Sequence, residues 1–197
     1  MLIGLTGQIG AGKTTAARIL KQLGAVIVDA DMIGREVVDN SAALRAGLAR
    51  AFGRDILDGR GKVRRKRLAE LAFASRTGRD RLNALVHPYL LRELRERVKA
   101  GLKKHKVVVI DAALLLHWGM DREVDFVLVI HAGLETRLAR LAARGIGRRD
   151  ALARARAQLP YREFNRRADR VILNNGTPED LNRKITALFD QLVSQTD

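Results

Sequence analysis

The chain has 197 residues, of which 47% are hydrophobic, and it contains no cysteine. This length suits one globular core, and the missing cysteines exclude a disulfide framework, a thiolate metal site and a cysteine nucleophile. The formal net charge of +15 predicts attraction to polyanions, a class that includes phosphate-rich small molecules and nucleic acids. No signal-peptide pattern or long apolar segment is present, so we expect no membrane association and a cytoplasmic location.

The first predicted elements are a buried strand over 2–6 and a helix over 14–23. Between them stands Gly7-Gln8-Ile9-Gly10-Ala11-Gly12-Lys13-Thr14, which matches the G-x-x-x-x-G-K-[ST] pattern of a phosphate-binding loop. The three glycines let backbone N–H groups close around phosphate oxygens at a helix N-terminus. Lys13 is expected to contact the β- and γ-phosphates, and the Thr14 hydroxyl to bind Mg²⁺. The pattern therefore predicts nucleoside triphosphate binding.

A second strand is predicted over 26–28 and is followed by Asp29-Ala30-Asp31. Ligands of open parallel sheets bind beyond the carboxyl ends of the strands, so we expect Asp31 to face the same crevice as the loop. Its carboxylate would there accept a proton from an attacking hydroxyl or hold Mg²⁺ through water. The alternative is that Asp31 caps a helix over 32–38. Asp29 is a weaker candidate for the same chemistry.

Residues 32–104 show helical patterns and no convincing strand. Ser41 is predicted to cap a helix that ends at Phe52, and Pro88 to begin a helix that ends near Lys104. We interpret this block as a helical insertion beside the nucleotide crevice. His87 precedes the helix-starting proline, and its chemistry alone favours a structural hydrogen bond over catalysis.

Three further strands are predicted over 107–111, 126–130 and 170–173, which makes a five-stranded, mostly parallel sheet flanked by helices. Asp111 ends the first of these strands, in the position from which an acid hydrogen-bonds Mg²⁺-bound water and Thr14. Thr177 is predicted to cap a last helix that begins at Pro178. The fold class is therefore α/β.

Eleven arginines and three acids lie between residues 137 and 170. Arg137, Arg140 and Arg144 are spaced by three and four, which predicts one face of a helix. Phosphoryl transfer needs positive charge against the phosphate oxygens, so we interpret Arg140 and Arg144 as part of a closing lid. The arginine-rich stretch from Arg144 to about Arg167 is predicted to be helical. The alternative to a lid is a solvated basic helix.

Taken together, these residues resemble the dephospho-coenzyme A kinase family. The resemblance lies in the phosphate loop, the Asp29-Ala30-Asp31 triplet, His87-Pro88 and a late series. That series comprises Asp111 with Leu114-Leu115, Arg140, Arg144, Ala157-Gln158, Ala168-Asp169 and Asn174. Further matches are Phe52-Gly53, Gly61, Arg65 and Leu68. The chain departs from the family pattern at Arg64, Ala113 and His117.

The resemblance implies a single kinase domain over residues 1–197 that transfers the ATP γ-phosphate to the ribose 3′-hydroxyl of dephospho-CoA. Its core would be 1–31, 105–143 and 168–197, with an acceptor-binding insertion at 32–104 and a lid at 144–167. The expected catalytic residues are Asp31, Lys13 and Arg140. The expected ATP ligands are Gly7, Gly10, Ala11, Gly12, Lys13, Thr14, Thr15, Arg144 and Asn174. The expected acceptor ligands are Asp31, Arg65 and His87, and Mg²⁺ would contact Thr14 and, through water, Asp111.

Other functions stay open at this point. They are another nucleoside or nucleotide kinase, a P-loop ATPase or GTPase acting on nucleic acid, and a binder that kept ATP affinity without activity. The +15 charge leaves nucleic acid open as a partner. Against it, aromatic and basic residues do not alternate as base-stacking surfaces require, and no Asn-Lys-x-Asp guanine signature is present. We expect a monomer or a weak homo-oligomer.

Overall fold

The structure, a computed structural model, describes residues 1–194. Five strands form one all-parallel sheet in the order β2-β3-β1-β4-β5. The strands are β1 (Leu2–Gly7), β2 (Val26–Asp29), β3 (Val108–Asp111), β4 (Phe126–His131) and β5 (Arg170–Leu173). The predicted α/β class and the five predicted strands are confirmed, each within one residue at either end.

The helices over residues 1–194 flank this sheet or connect its strands. They are α1 (Lys13–Gln22), α2 (Ala30–Asn40), α3 (Ala42–Phe52), α4 (Arg65–Phe73), α5 (Arg76–Leu102), α6 (Leu134–Ala142), α7 (Arg148–Arg156), α8 (Tyr161–Arg166) and α9 (Pro178–Ser194). Within this range, no helix is both long enough and apolar enough to cross a membrane.

The chain divides into two compact units. Unit 1 comprises Met1–Val28 and the chain from Val98 onward, and unit 2 comprises Asp29–Arg97. Unit 1 contains the sheet, and its core lies between the sheet and helices α1 and α9. The core side chains include Ile3 and Leu5 of β1, Leu20 of α1, and Ile185 of α9, all at most 2% exposed. The apolar residues of β1 are buried throughout, as a central parallel strand requires.

Unit 2 is helical, with one isolated antiparallel bridge between Leu57 and Val63. Its small core packs Leu44 and Leu48 of α3 against Val38, Ile56 and Leu68. The Ser41 hydroxyl accepts a hydrogen bond from the Leu44 N–H at 3.1 Å, which confirms the predicted cap of the helix that ends at Phe52.

Two helix predictions are wrong. Pro88 lies inside the continuous helix α5 rather than at a helix start, because the residues before it already form helical turns, so the proline removes only one donor from a long helix. The arginine-rich stretch after Arg144 is interrupted at Pro160, which separates α7 from α8. Proline disfavours helical backbone at the residue that precedes it.

Candidate active site

The phosphate loop connects β1 to α1, and its glycines are needed for close approach. Gly12 has φ +103°, and a Cβ built there would lie 2.2 Å from Nδ2 of Asn174. A Cβ on Gly7 would lie 2.3 Å from the carbonyl oxygen of Ile130. No side chain caps α1, so its first N–H groups are available to an anion. The Thr14 side chain, in this first turn, is exposed.

Lys13 forms an ion pair with Asp111, the last residue of β3. Their side chains are 17% and 8% exposed, so solvent screens this pair weakly. The pairing arises because β1 and β3 are adjacent and in parallel register, with Leu5 opposite Asp111. The predicted loop cation and the predicted acid at the end of β3 therefore lie side by side.

The carbonyl oxygen of Ala11 accepts hydrogen bonds from two other predicted site residues. Nδ2 of Asn174 donates to it at 2.8 Å, and Nη1 of Arg140 donates to it at 3.4 Å. Arg140 Nη2 also donates to Oδ1 of Asn174 at 3.5 Å. Asn174 is only 5% exposed and follows β5 directly. A residue of α6 and the residue that follows β5 thus hold the middle of the phosphate loop.

Arg137 lies against the same loop but was not among the predicted site residues. Its guanidinium is buried, and within residues 1–194 its Nε and Nη1 have no hydrogen-bond partner. A Cβ on Gly10 would lie 2.9 Å from the Arg137 carbonyl oxygen. Burial lowers the pKa of Arg137. Burial and the nearby charge of Arg137 also lower the pKa of His131, whose ring stacks on Tyr161 at 3.8 Å between centroids.

The prediction that Arg137, Arg140 and Arg144 share one helical face is wrong for Arg144. Helix α6 ends at Ala142, and Gly145 follows with φ +78°, a common way for a helix to end. Arg144 lies in the turn between them and is exposed. The structure brings Arg140, and not Arg144, into contact with the phosphate loop.

The phosphate loop also contacts the segment after α7. The Ile9 N–H donates to Oε1 of Gln158 at 2.8 Å, and Nε2 of Gln8 donates to the Leu159 carbonyl oxygen at 3.2 Å. The sequence offered one signal for Gln158, its place in the late series of family matches. Composition and periodicity offered none, because a single glutamine after an arginine-rich helix resembles any solvated residue.

Another late match, Asp169, has a structural role in the sheet. Its Oδ2 accepts from the Val127 N–H at 2.7 Å, and its own N–H donates to the Val127 carbonyl oxygen at 3.0 Å. These bonds lie at the start of the β4–β5 pairing. Asp169 therefore helps to set the strand from which Asn174 extends.

Asp31, Arg65 and His87 belong to unit 2. Asp31 is exposed in the first turn of α2, and the cap of that helix is Asp29, whose Oδ1 accepts from the Met32 N–H at 3.0 Å. The alternative that Asp31 caps the helix is therefore wrong, because the helix begins two residues earlier than expected. Arg65 is half exposed and pairs with Asp39 at 2.6 Å. His87 is half buried within α5.

Comparison with known proteins shows the family to which the chain is similar. A family model described as dephospho-CoA kinase matches residues 1–180. A dephospho-CoA kinase of Geobacter sulfurreducens is 42% identical over 191 residues, covering 95% of this chain and 96% of that protein.

Two solved structures have the same fold. The crystal structure of TT1252 from Thermus thermophilus has a TM-score of 0.82 at 34% identity and covers 98% of this chain and 97% of that one. A dephospho-CoA kinase from Campylobacter jejuni has a TM-score of 0.77 at 23% identity, covering 100% of this chain and 98% of that one. The chain belongs to the dephospho-CoA kinase family.

Proposed function

We propose that this kinase transfers the γ-phosphate of ATP to the ribose 3′-hydroxyl of dephospho-CoA, giving coenzyme A. The chain belongs to the dephospho-CoA kinase family, and the observation that carries the proposal is the arrangement of polar side chains around its phosphate loop. Four residues that are distant in the chain contact the loop or each other. They are Lys13 of α1, Asp111 of β3, Arg140 of α6 and Asn174, which follows β5. Phosphoryl transfer depends on positioning and on positive charge near the transferred group, and this end of unit 1 supplies both.

In this proposal the nucleotide phosphates bind the backbone N–H groups of Gly10 to Thr15. Lys13 contacts the β- and γ-phosphates, which requires it to exchange at least part of its ion pair with Asp111. Arg140 contributes charge during transfer from its position beside Ala11. Asn174 acts on ATP through the loop whose carbonyl it holds. Arg144, exposed in the turn after α6, is proposed to reach ATP from the lid.

The residues present fit a magnesium ion that accompanies ATP. Within residues 1–194, no group of three or more histidine, cysteine or acidic side chains could hold a metal on its own. The Thr14 hydroxyl and the Asp111 carboxylate are oxygen donors, the type that Mg²⁺ prefers, and Mg²⁺ in kinases takes few protein ligands beside phosphates and water. When bound, Mg²⁺ neutralises charge on the phosphate oxygens. We assign its direct contact to Thr14 and its water-mediated contact to Asp111.

Asp31 is the proposed general base, and Asp31, Arg65 and His87 are the proposed acceptor ligands. The support for Asp31 is that its carboxylate is exposed and takes no part in capping α2, since Asp29 performs that task. Arg65 offers a guanidinium at the start of α4, and its partner Asp39 is itself half exposed. A phosphate or carboxylate could replace Asp39 at little cost, because exposed ion pairs typically contribute only ~0.2–1 kcal/mol.

The test is a substrate panel. The protein is incubated with ATP and Mg²⁺ together with dephospho-CoA, adenosine, nucleoside monophosphates or RNA, and both ADP and the phosphorylated product are measured. We expect strong stimulation by dephospho-CoA, with coenzyme A as the product. Stimulation by RNA alone would overturn the proposal in favour of a nucleic-acid ATPase, and stimulation by a monophosphate alone would indicate another nucleotide kinase.

A further inference from the structure

Ile9 of the phosphate loop packs its side chain into a small apolar cluster outside the loop. The buried members of this cluster are Leu138 and Leu141 of α6 and Ala151 of α7, and its partly buried members are Ile9, Ile146 and Leu152. We refer to these six residues as the α6–α7 cluster. Within residues 1–194, Ile9 is the only member from the phosphate loop.

The backbone of the same loop residue is held by the segment after α7. The Ile9 N–H donates to Oε1 of Gln158 at 2.8 Å. The neighbouring Gln8, which is 8% exposed, donates from Nε2 to the Leu159 carbonyl oxygen at 3.2 Å. Two consecutive loop residues are thus bonded to two consecutive residues that follow α7. In this arrangement the Ile9 N–H is engaged by the Gln158 side chain.

In the sequence of α6, Arg140 stands between Leu138 and Leu141, which are two members of this cluster. Leu138 and Leu141 are 4% and 2% exposed, whereas Arg140 is half buried and donates to the Ala11 carbonyl oxygen at 3.4 Å. Ile9 packs against the cluster to which Leu138 and Leu141 belong, so this packing is one of the contacts that hold α6 beside the loop. A long hydrogen bond such as this one is sensitive to a small shift of the helix.

We propose that Ile9 and Gln158 are positioning residues that couple the phosphate loop to the arginine-bearing helix α6. The Ile9 side chain connects the loop to α6 and α7. The Gln158 side chain accepts from the Ile9 backbone N–H and so connects the loop to the segment that follows α7. Together they hold Arg140 at the distance from the loop that phosphoryl transfer requires. This inference rests on the proposed catalytic role of Arg140.

The experiment compares Ile9→Ala and Gln158→Leu with a matched control, Leu152→Ala. Leu152 belongs to the same cluster and is also partly buried, but it is not part of the loop. The readouts are kcat and KM for ATP and for dephospho-CoA, together with the melting temperature of each variant. We expect Ile9→Ala and Gln158→Leu to lower kcat about tenfold, within the range of couplings between contacting residues. Leu152→Ala should lower the melting temperature with kcat within about twofold of wild type.

A conservative variant and a double-mutant cycle separate positioning from general stability. Gln158→Glu keeps an oxygen that can accept from the Ile9 N–H, so it should recover most of the kcat that Gln158→Leu loses. In an Arg140→Ala background, Ile9→Ala and Gln158→Leu should have little further effect on kcat, because the residue through which they act is gone.

Two results would overturn the inference in distinguishable ways. If Arg140→Ala is impaired while Ile9→Ala and Gln158→Leu match Leu152→Ala in kcat, or while their effects multiply with that of Arg140→Ala, the coupling is wrong and the role of Arg140 stands. If Arg140→Ala alone keeps the wild-type kcat, the catalytic role of Arg140 is wrong, and the coupling with it. Should Ile9→Ala fail to fold, the Gln158 variants decide the question, since Gln158 is only half buried.

Discussion

The two units place charged residues in different surroundings. In unit 1, Lys13 and Asp111 form a pair whose side chains are 17% and 8% exposed, and Asn174 is buried against the loop. In unit 2, Arg65 and Asp39 form a pair whose side chains are 49% and 52% exposed, and Asp31 is exposed as well. Buried charges need fixed partners, whereas exposed charges are solvated and can exchange partners at little cost.

In the proposed function, this difference assigns nucleotide binding to unit 1 and acceptor binding to unit 2. At the loop end of unit 1, fixed contacts hold four polar side chains, which are Lys13, Asp111, Arg140 and Asn174. The polar groups of unit 2 have room to rearrange around an acceptor. Substitutions in unit 1 should therefore affect nucleotide binding and stability together, and substitutions of exposed groups in unit 2 should affect catalysis or acceptor binding alone.

The largest expected effect concerns the carboxylates on either side of Ala30. Asp31→Asn should lower kcat by roughly 10²–10⁴-fold, the usual contribution of a general base, with ATP affinity unchanged. Asp29→Ala should instead cost about 1 kcal/mol of stability, because it removes the cap of α2. Steady-state kinetics, ATP titration and thermal unfolding distinguish the two. Normal turnover by Asp31→Asn would remove Asp31 from the base role.

Lys13→Ala should lower kcat/KM by roughly 10²–10³-fold, comparable with the loss of one preorganised donor to a developing charge. The substitution also removes the cation beside the buried Asp111 carboxylate, so thermal stability should fall as well. Lys21→Ala is the matched control, because Lys21 is an exposed lysine in the last turn of the same helix. If both variants behaved alike, Lys13 would have no specific role in the nucleotide site.

Gly12→Ala tests how tightly the loop end is packed. The new Cβ would lie 2.2 Å from Nδ2 of Asn174, so overpacking should cost about 1–3 kcal/mol in addition to backbone strain. Gly24→Ala is the control, since Gly24 has φ +99° and no atom within 4 Å of the added Cβ. We expect a clearly larger drop in melting temperature, and weaker ATP binding, for Gly12→Ala only. Equal drops would mean that backbone conformation, and not contact with Asn174, determines the cost.

The smallest expected effect tests Arg65 as a ligand of the acceptor. Arg65→Ala should raise KM for dephospho-CoA about tenfold, as the loss of a hydrogen bond to a charged group would, with kcat and stability nearly unchanged. Arg67 offers a close match on the same helix, because its pair with Asp55 has side-chain exposures of 46% and 52%. Arg67→Ala should leave the KM near that of wild type. An equal rise in both variants would indicate a general effect of positive charge.

The sequence alone determined the local elements and the type of chemistry. The apolar runs predicted five strands, and the spacing of glycines, Lys13 and Thr14 predicted the phosphate loop, because strand burial and anion binding depend on residues that are neighbours in the chain. Motifs such as Asp29-Ala30-Asp31 were also visible for this reason. Their individual roles were harder to separate, since only the hydrogen bond from Met32 to Asp29 identifies the capping residue.

Tertiary structure alone decided which distant residues meet at the loop. The strand order places β3 and β4 on either side of β1, which brings Asp111 to Lys13 and Arg140 to Ala11. The burial of Arg137 and the contact between Ile9 and Gln158 arise in the same way. Such contacts join residues about 100 to 150 positions apart, and no local periodicity encodes them, because they depend on how whole strands and helices pack.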